Sequence, residues 1–119
     1  MSALVDWTTM PGSYSTTEQA TPFTWKDGKQ IYKKTIVGNF TSVPAAGLSW
    51  NHNITNLSQV VNIETIYALG WETAWGNDAF LSRAGLVIRI DSTKMYLDAS
   101  SSSNYSGSIN VTVWYTKSS

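Results

Sequence analysis

Apolar and polar residues alternate along most of this chain with the period of a strand, not of a helix. Leu86-Val87-Ile88-Arg89-Ile90-Asp91 puts Leu86, Ile88 and Ile90 on one face. Ser92-Thr93 then turns the chain into Lys94-Met95-Tyr96-Leu97-Asp98, which predicts a hairpin. Toward the C-terminus, Ile109, Val111, Val113 and Tyr115 share one parity of a strand, and Asn110, Thr112, Trp114 and Thr116 share the other. Phe23-Thr24-Trp25 and Gln30-Ile31-Tyr32 flank Asp27-Gly28. Asp-Gly between such runs predicts a type I′ hairpin turn, which needs positive φ at both central residues. The second arm continues to Val37, Gly38-Asn39 marks its expected end, and residues 41–48, with Pro44 and Gly47, read as a connection.

Gln59 to Gly70 is apolar on both parities. Val61, Ile63, Tyr67 and Leu69 lie on one, interrupted by Thr65, and Val60, Ile66 and Ala68 lie on the other. The expectation is a strand buried at least partly on both faces. Its β-branched content argues against the competing amphipathic helix. Together these elements predict an all-β fold, a β-sandwich or jelly roll of about seven to eight short antiparallel strands. No fixed period repeats, which argues against a solenoid or propeller. Residues 1–22 contain Pro11-Gly12 and a polar run and read as an N-terminal arm, with residues 23–119 as the sandwich domain. Trp7 and Met10 stand in that polar arm as candidate assembly residues that dock on the core, a neighbouring subunit or a larger particle.

Composition reinforces the strand reading. Ser and Thr form about a quarter of the 119 residues, and Trp and Tyr each occur six times. Eight basic and eight acidic residues cancel. Such a chain lacks the electrostatic footprint of a phosphate-backbone binder, so no nucleic-acid partner is expected. There is no cysteine, which excludes disulfides, thiol nucleophiles and thiolate metal sites. No apolar run reaches the roughly eighteen residues of a spanning helix, and Met1–Gly12 lacks a signal-peptide pattern. Neither membrane insertion nor export through a signal peptide is expected. Five Asn-x-Ser/Thr triplets, at Asn39, Asn53, Asn56, Asn104 and Asn110, follow from the composition.

Three segments carry a resemblance. Tyr14-Ser15-Thr16-Thr17-Glu18 is followed by Trp25-Lys26-Asp27-Gly28-Lys29-Gln30-Ile31-Tyr32-Lys33-Lys34. Trp50-Asn51-His52-Asn53-Ile54 leads to Val60–Gly70, and Ile109–Lys117 ends in Tyr115-Thr116-Lys117. In this order, across most of residues 14–117, they resemble small β-domains of bacteriophage virion appendages: tail fibres, baseplate receptor-binding proteins and head fibres. Asn53 departs from the family's frequent Gly, and Trp71-Glu72-Thr73-Ala74-Trp75 is richer in aromatics than the family pattern. The resemblance implies a virion structural protein made in the host cytoplasm. It further implies a homotrimer, contacts with other virion proteins, and in some members a host-surface saccharide or protein as receptor.

Catalytic chemistry finds little purchase. His52 is the single histidine, no nucleophile elbow surrounds a serine, and a structural or turn-bonded role is expected for it. Glu72 and Asp78 are the one carboxylate pair set among aromatics, but solvated loop carboxylates are the simpler reading. Asp78, Asp91 and Asp98 lack a calcium-loop pattern and read as turn caps, so neither metal nor cofactor is expected. The strongest binding candidate is the segment with Trp71, Trp75, Asn77 and Asp78, where flat apolar faces adjoin directional hydrogen-bonding groups as sugar recognition requires. The competing reading is that both tryptophans plug the end of the sandwich or a subunit interface. Trp25, Tyr32 and Trp114 are expected to pack on strands, with Trp114 a further candidate for a subunit contact. Sequence therefore favours a non-enzymatic phage attachment or decoration module, tail fibre or head fibre. A cellular carbohydrate-binding module or lectin is the alternative, and a glycan-hydrolysing domain the third reading.

Overall fold

The computed structural model describes residues 14–69, 74–76 and 85–118, the side chains at 68–69 and 74–76 excepted. The described chain is all-β. Its strands are β1 (Gln19–Thr24), β2 (Gln30–Phe40), β3 (Leu48–Asn51), β4 (Leu57–Leu69), β5 (Ala74–Gly76), β6 (Leu86–Ile90), β7 (Lys94–Ala99) and β8 (Gly107–Lys117). They form two antiparallel sheets, one ordered β1-β2-β8-β4-β5 and one ordered β3-β7-β6. β2, β4 and β8 run 11, 13 and 11 residues, longer than the short strands expected. β1 begins at Gln19, inside the stretch read from sequence as arm. No helix among the described residues is long and apolar enough to cross a membrane.

The chain divides into two compact units. The first comprises residues 1–36, 54–63 and 112–119, the second residues 37–53 and 64–111. In the first, β1 and β2 form the expected hairpin, but not with the expected turn. Trp25 N–H donates to Lys29 O and Gly28 N–H to Trp25 O, each at 2.8 Å, and of the turn residues Gly28 alone has positive φ, at 86°. This is a three-residue loop in which a turn over Trp25–Gly28 is followed by a glycine bulge. Asp27 keeps negative φ and its carboxylate caps Lys29 N–H at 3.0 Å, so one strained position suffices instead of two.

Residues 14–18 of this unit lie against β2 and β8. Ser15 O accepts from Thr35 N–H at 2.8 Å. The Glu18 carboxylate accepts from Tyr115 Oη at 2.5 Å and Lys117 Nζ at 2.9 Å. Tyr115 is fully buried and stacks on Tyr32 at 6.1 Å between ring centroids. Lys33 is also buried, its ammonium 4.7 Å from the Tyr14 ring centroid and 5.2 Å from that of Trp114. Two aromatic faces thus replace part of the hydration that burial removes from Lys33.

The second unit is a sandwich, since it holds the three-stranded sheet and the adjoining parts of β2, β4 and β8. Phe40, Val43, Tyr67, Leu86, Met95, Leu97, Ile109 and Val111 are buried there. Gly38 does not end its strand, as expected from sequence, but lies within it. A β-carbon at that position would stand 2.8 Å from Cε2 and Cζ2 of Trp50 on β3. The glycine is thus a packing requirement: the Trp50 ring occupies the space that a side chain would need.

β4 meets its expectation in part. Thr65 and Tyr67 are buried and Val61 and Ile63 half-buried, whereas Ile66, on the opposite parity, is 52% exposed. The face with Val61, Ile63, Thr65 and Tyr67 is the better buried, and the Thr65 that interrupts the apolar parity belongs to it; on the other face Val60 is half-buried. Asn53 and Asn56, between β3 and β4, have φ of 56° and 58°. Asparagine tolerates that left-handed conformation better than most residues.

Two outcomes follow from this packing. Gly38→Ala is expected to lower unfolding free energy by about 1–3 kcal/mol, the usual cost of overpacking. Urea denaturation followed by tryptophan fluorescence checks it, and a midpoint equal to wild type contradicts the Trp50 contact. Glu18→Ala strands the buried Tyr115 hydroxyl and is expected to cost about 1–3 kcal/mol. Burial raises the Glu18 pKa, but hydrogen bonds from Tyr115 and Lys117, with the charges of Lys117 and Lys34, outweigh it and leave a net lowering. A lowered folded-state value means that the stabilisation is complete above the ordinary glutamate value of about 4.3 and is lost as pH falls through the lower folded one. Acid unfolding curves of wild type and Glu18→Gln are expected to converge in that acidic window and diverge above it.

Candidate functional site

The register of the three-stranded sheet assembles a polar surface. β6 pairs with β7 through Val87↔Asp98, Arg89↔Tyr96 and Ile90↔Met95, and β3 pairs with the other side of β7 through Ser49↔Tyr96 and Asn51↔Lys94. Alternation turns Leu86, Met95 and Leu97 into the core, where all three are buried. The opposite parity forms the outer face, and its central cross-strand row is Ser49–Tyr96–Arg89.

The side chains of this face hold one another. Arg89 Nε donates to Asp98 Oδ2 at 2.8 Å and Nη2 to Asp98 Oδ1 at 3.3 Å, a bidentate pair. The guanidinium carbon lies 3.9 Å from the Tyr96 ring centroid, so the cation is stacked on the phenol. Tyr96 Oη donates to Asp91 Oδ2 at 2.8 Å. Asp91 Oδ1 accepts from the backbone N–H groups of Thr93, at 2.9 Å, and Lys94, at 2.8 Å, which closes the β6–β7 turn. Those two backbone donors, then the Tyr96 hydroxyl, hold the Asp91 carboxyl well below the usual range. The same bond to Asp91 raises the Tyr96 hydroxyl, which stays protonated and donating.

His52 supports the arrangement from beneath. It is 1% exposed, its Nε2 donates to Asp91 O at 2.9 Å, and its backbone N–H donates to Thr93 O at 3.3 Å. The single histidine therefore pins the hairpin turn to the strand end after β3. Asp91 caps that turn, as expected from sequence. Asp98, expected as a turn cap, instead lies on β7 as the partner of Arg89.

Arg89 and Asp98 remain accessible, with side chains 52% and 42% exposed. A guanidinium has five N–H donors, of which two are directed at Asp98, and a carboxylate offers about four acceptor directions. Donors and acceptors thus alternate over a few ångströms beside an aromatic ring. This surface suits a ligand with several hydroxyl groups. Among the described residues no group of three or more His, Cys, Asp or Glu side chains could hold a metal ion.

Most of the site residues proposed from sequence lie outside the described residues. Trp71, Asn77 and Asp78 lie outside the described residues, as do Trp7 and Met10. Trp75 is on β5, its backbone paired with Ala68, and its side chain lies outside the description. Trp114 is half-buried on β8 with the Lys33 ammonium above its ring. Arg89 and Tyr96 were not singled out from sequence, although the signal was present. The alternation that sends Ile88 and Leu97 inward sends Arg89 and Tyr96 outward, and the two-residue turn sets them opposite each other. No protein-family model matches the chain, and neither a curated protein nor a solved structure matches it significantly.

Proposed function

We propose that this chain is a non-enzymatic attachment module of a bacteriophage particle, a tail-fibre, head-fibre or decoration domain that binds a host-surface saccharide. The observation that carries the binding reading is the outer face of the β3–β7–β6 sheet. There Tyr96, Arg89, Asp98 and Asp91 are mutually fixed while Arg89 and Asp98 stay accessible. Fixed side chains favour binding because each rotamer-rich group immobilised on association otherwise costs about 0.5–1.5 kcal/mol. The assignment to a phage particle rests on the resemblance of residues 14–34, 50–70 and 109–117 to appendage domains.

A homotrimer would present three such faces. Linked sites raise avidity about 10²–10⁴-fold when geometry lets them engage together, so a weak single site is enough for attachment. In this reading residues 1–13 join the module to sister chains or to other virion proteins through Trp7 and Met10, since residues 14–22 pack within the module itself. A cellular carbohydrate-binding module is the second reading. The same outer face supports it, because hydroxyl-matching chemistry does not depend on a virion.

Light scattering coupled to size-exclusion chromatography separates the two. Three chain masses in one peak are expected for the attachment module, and a monomer with saccharide affinity favours the cellular module. Staining of bacterial panels with the fluorescently labelled chain is expected to be saturable and to disappear after periodate oxidation of the cell surface. Staining that survives periodate contradicts a saccharide receptor.

A further inference from the structure

We infer that the outer face of the β3–β7–β6 sheet selects neutral, hydroxyl-rich saccharides over acidic ones, and that Asp98 sets this selectivity by neutralising Arg89. The inference rests on the binding reading above and adds to it the class of ligand and the residue that decides it.

The face carries two cations, Arg89 and Lys94, and two anions, Asp91 and Asp98, so it has no net charge to attract an acidic sugar. Arg89 is the group that would otherwise recognise a sugar carboxylate, because its planar fork matches carboxylate geometry. Here Nε and Nη2, the edge of that fork, are occupied by the two oxygens of Asp98. An acidic ligand would have to displace Asp98 or lie against its charge, and like-charge juxtaposition is a strong discriminator.

A neutral sugar meets no such obstacle. Vicinal hydroxyls donate to a carboxylate and accept from a guanidinium at once, so the Arg89–Asp98 pair can stay intact while both members gain partners. Tyr96, bonded through its hydroxyl to Asp91, offers its ring as the surface on which the Arg89 guanidinium rests. Ser49 and Asn51 on β3 add hydroxyl and amide groups along the same face.

The test is binding of the full chain to an array of neutral and acidic glycans, comparing wild type with Asp98→Asn and Tyr96→Ala. Asp98→Asn keeps shape and removes one negative charge. Arg89 and Asp98 are both well exposed, so the substitution is expected to leave the fold intact, which near-ultraviolet circular dichroism checks. Wild type is expected to bind neutral glycans. Asp98→Asn is expected to lose about tenfold on them, the worth of one charge-assisted hydrogen bond, and to gain acidic glycans in a salt-dependent manner. Tyr96→Ala is expected to weaken neutral binding at least as much without the acidic gain. Wild-type binding confined to acidic glycans, or neutral binding that neither substitution changes, overturns the inference and leaves the attachment reading in place. No binding to any glycan overturns both.

Discussion

The buried stripe of β8 is the constraint on which the rest depends. Ile109, Val111, Val113 and Tyr115 are all fully buried, and their strand lies between β2 and β4 in the larger sheet. Four consecutive same-parity positions without solvent contact fix the strand's register, because a slip of one residue would exchange this apolar row for Asn110, Thr112, Trp114 and Thr116, a more polar row of which Thr112 and Thr116 are buried on the opposite face. β2 and β4 precede β8 by tens of residues, so the sheet's centre forms only through long-range pairing. That topology implies slow, cooperative folding. Glu18 adds to the constraint at one end, where it binds both Tyr115 and Lys117.

Elements whose side chains have one determinant were legible in the sequence. β8 and the β6–β7 hairpin follow from period-two alternation, and the apolar row it selects on β8 is buried, although Thr112 and Thr116 on the opposite face are buried as well. Gly28 announced a hairpin correctly, but Asp-Gly chemistry does not distinguish a two-residue loop from a three-residue loop with a bulge. That choice depends on the pairing of Trp25 with Lys29. Gly38 was read as punctuation because a glycine's local preference carries no record of the ring that packs on it from another strand. The apolar residues of β4 occupy both parities, but composition does not reveal how far each face is covered: Val60 is half-buried and Ile66, on the same face, is exposed.

The polar face was legible in parts but not as a site. Sequence alternation places Arg89, Tyr96 and Asp98 outward, whereas aromatic density points to Trp71–Asp78, a segment largely outside the described residues. What sequence could not supply was the diagonal geometry. Asp98 lies opposite Val87 rather than Arg89, and it reaches Arg89 because diagonal neighbours on a twisted sheet lie within range of a long side chain. The histidine illustrates the same limit. A lone His beside two asparagines carries no signal that its ring will meet Asp91 O, 39 residues away.

These features connect core packing to surface chemistry. His52 is buried, and its two hydrogen bonds hold the β6–β7 turn, where Asp91 is capped by the backbone and in turn receives the Tyr96 hydroxyl. Tyr96 carries Arg89, and Arg89 grips Asp98. Each link is a modest interaction, and the exposed Arg89–Asp98 pair alone contributes little to folding. Their joint effect is to remove rotamer freedom from the accessible end of the chain of contacts by anchoring its other end in the core. A surface ordered in this way loses less entropy on binding than one built from independent long side chains. The contacts that fix the turn thus also order the side chains on the face above it.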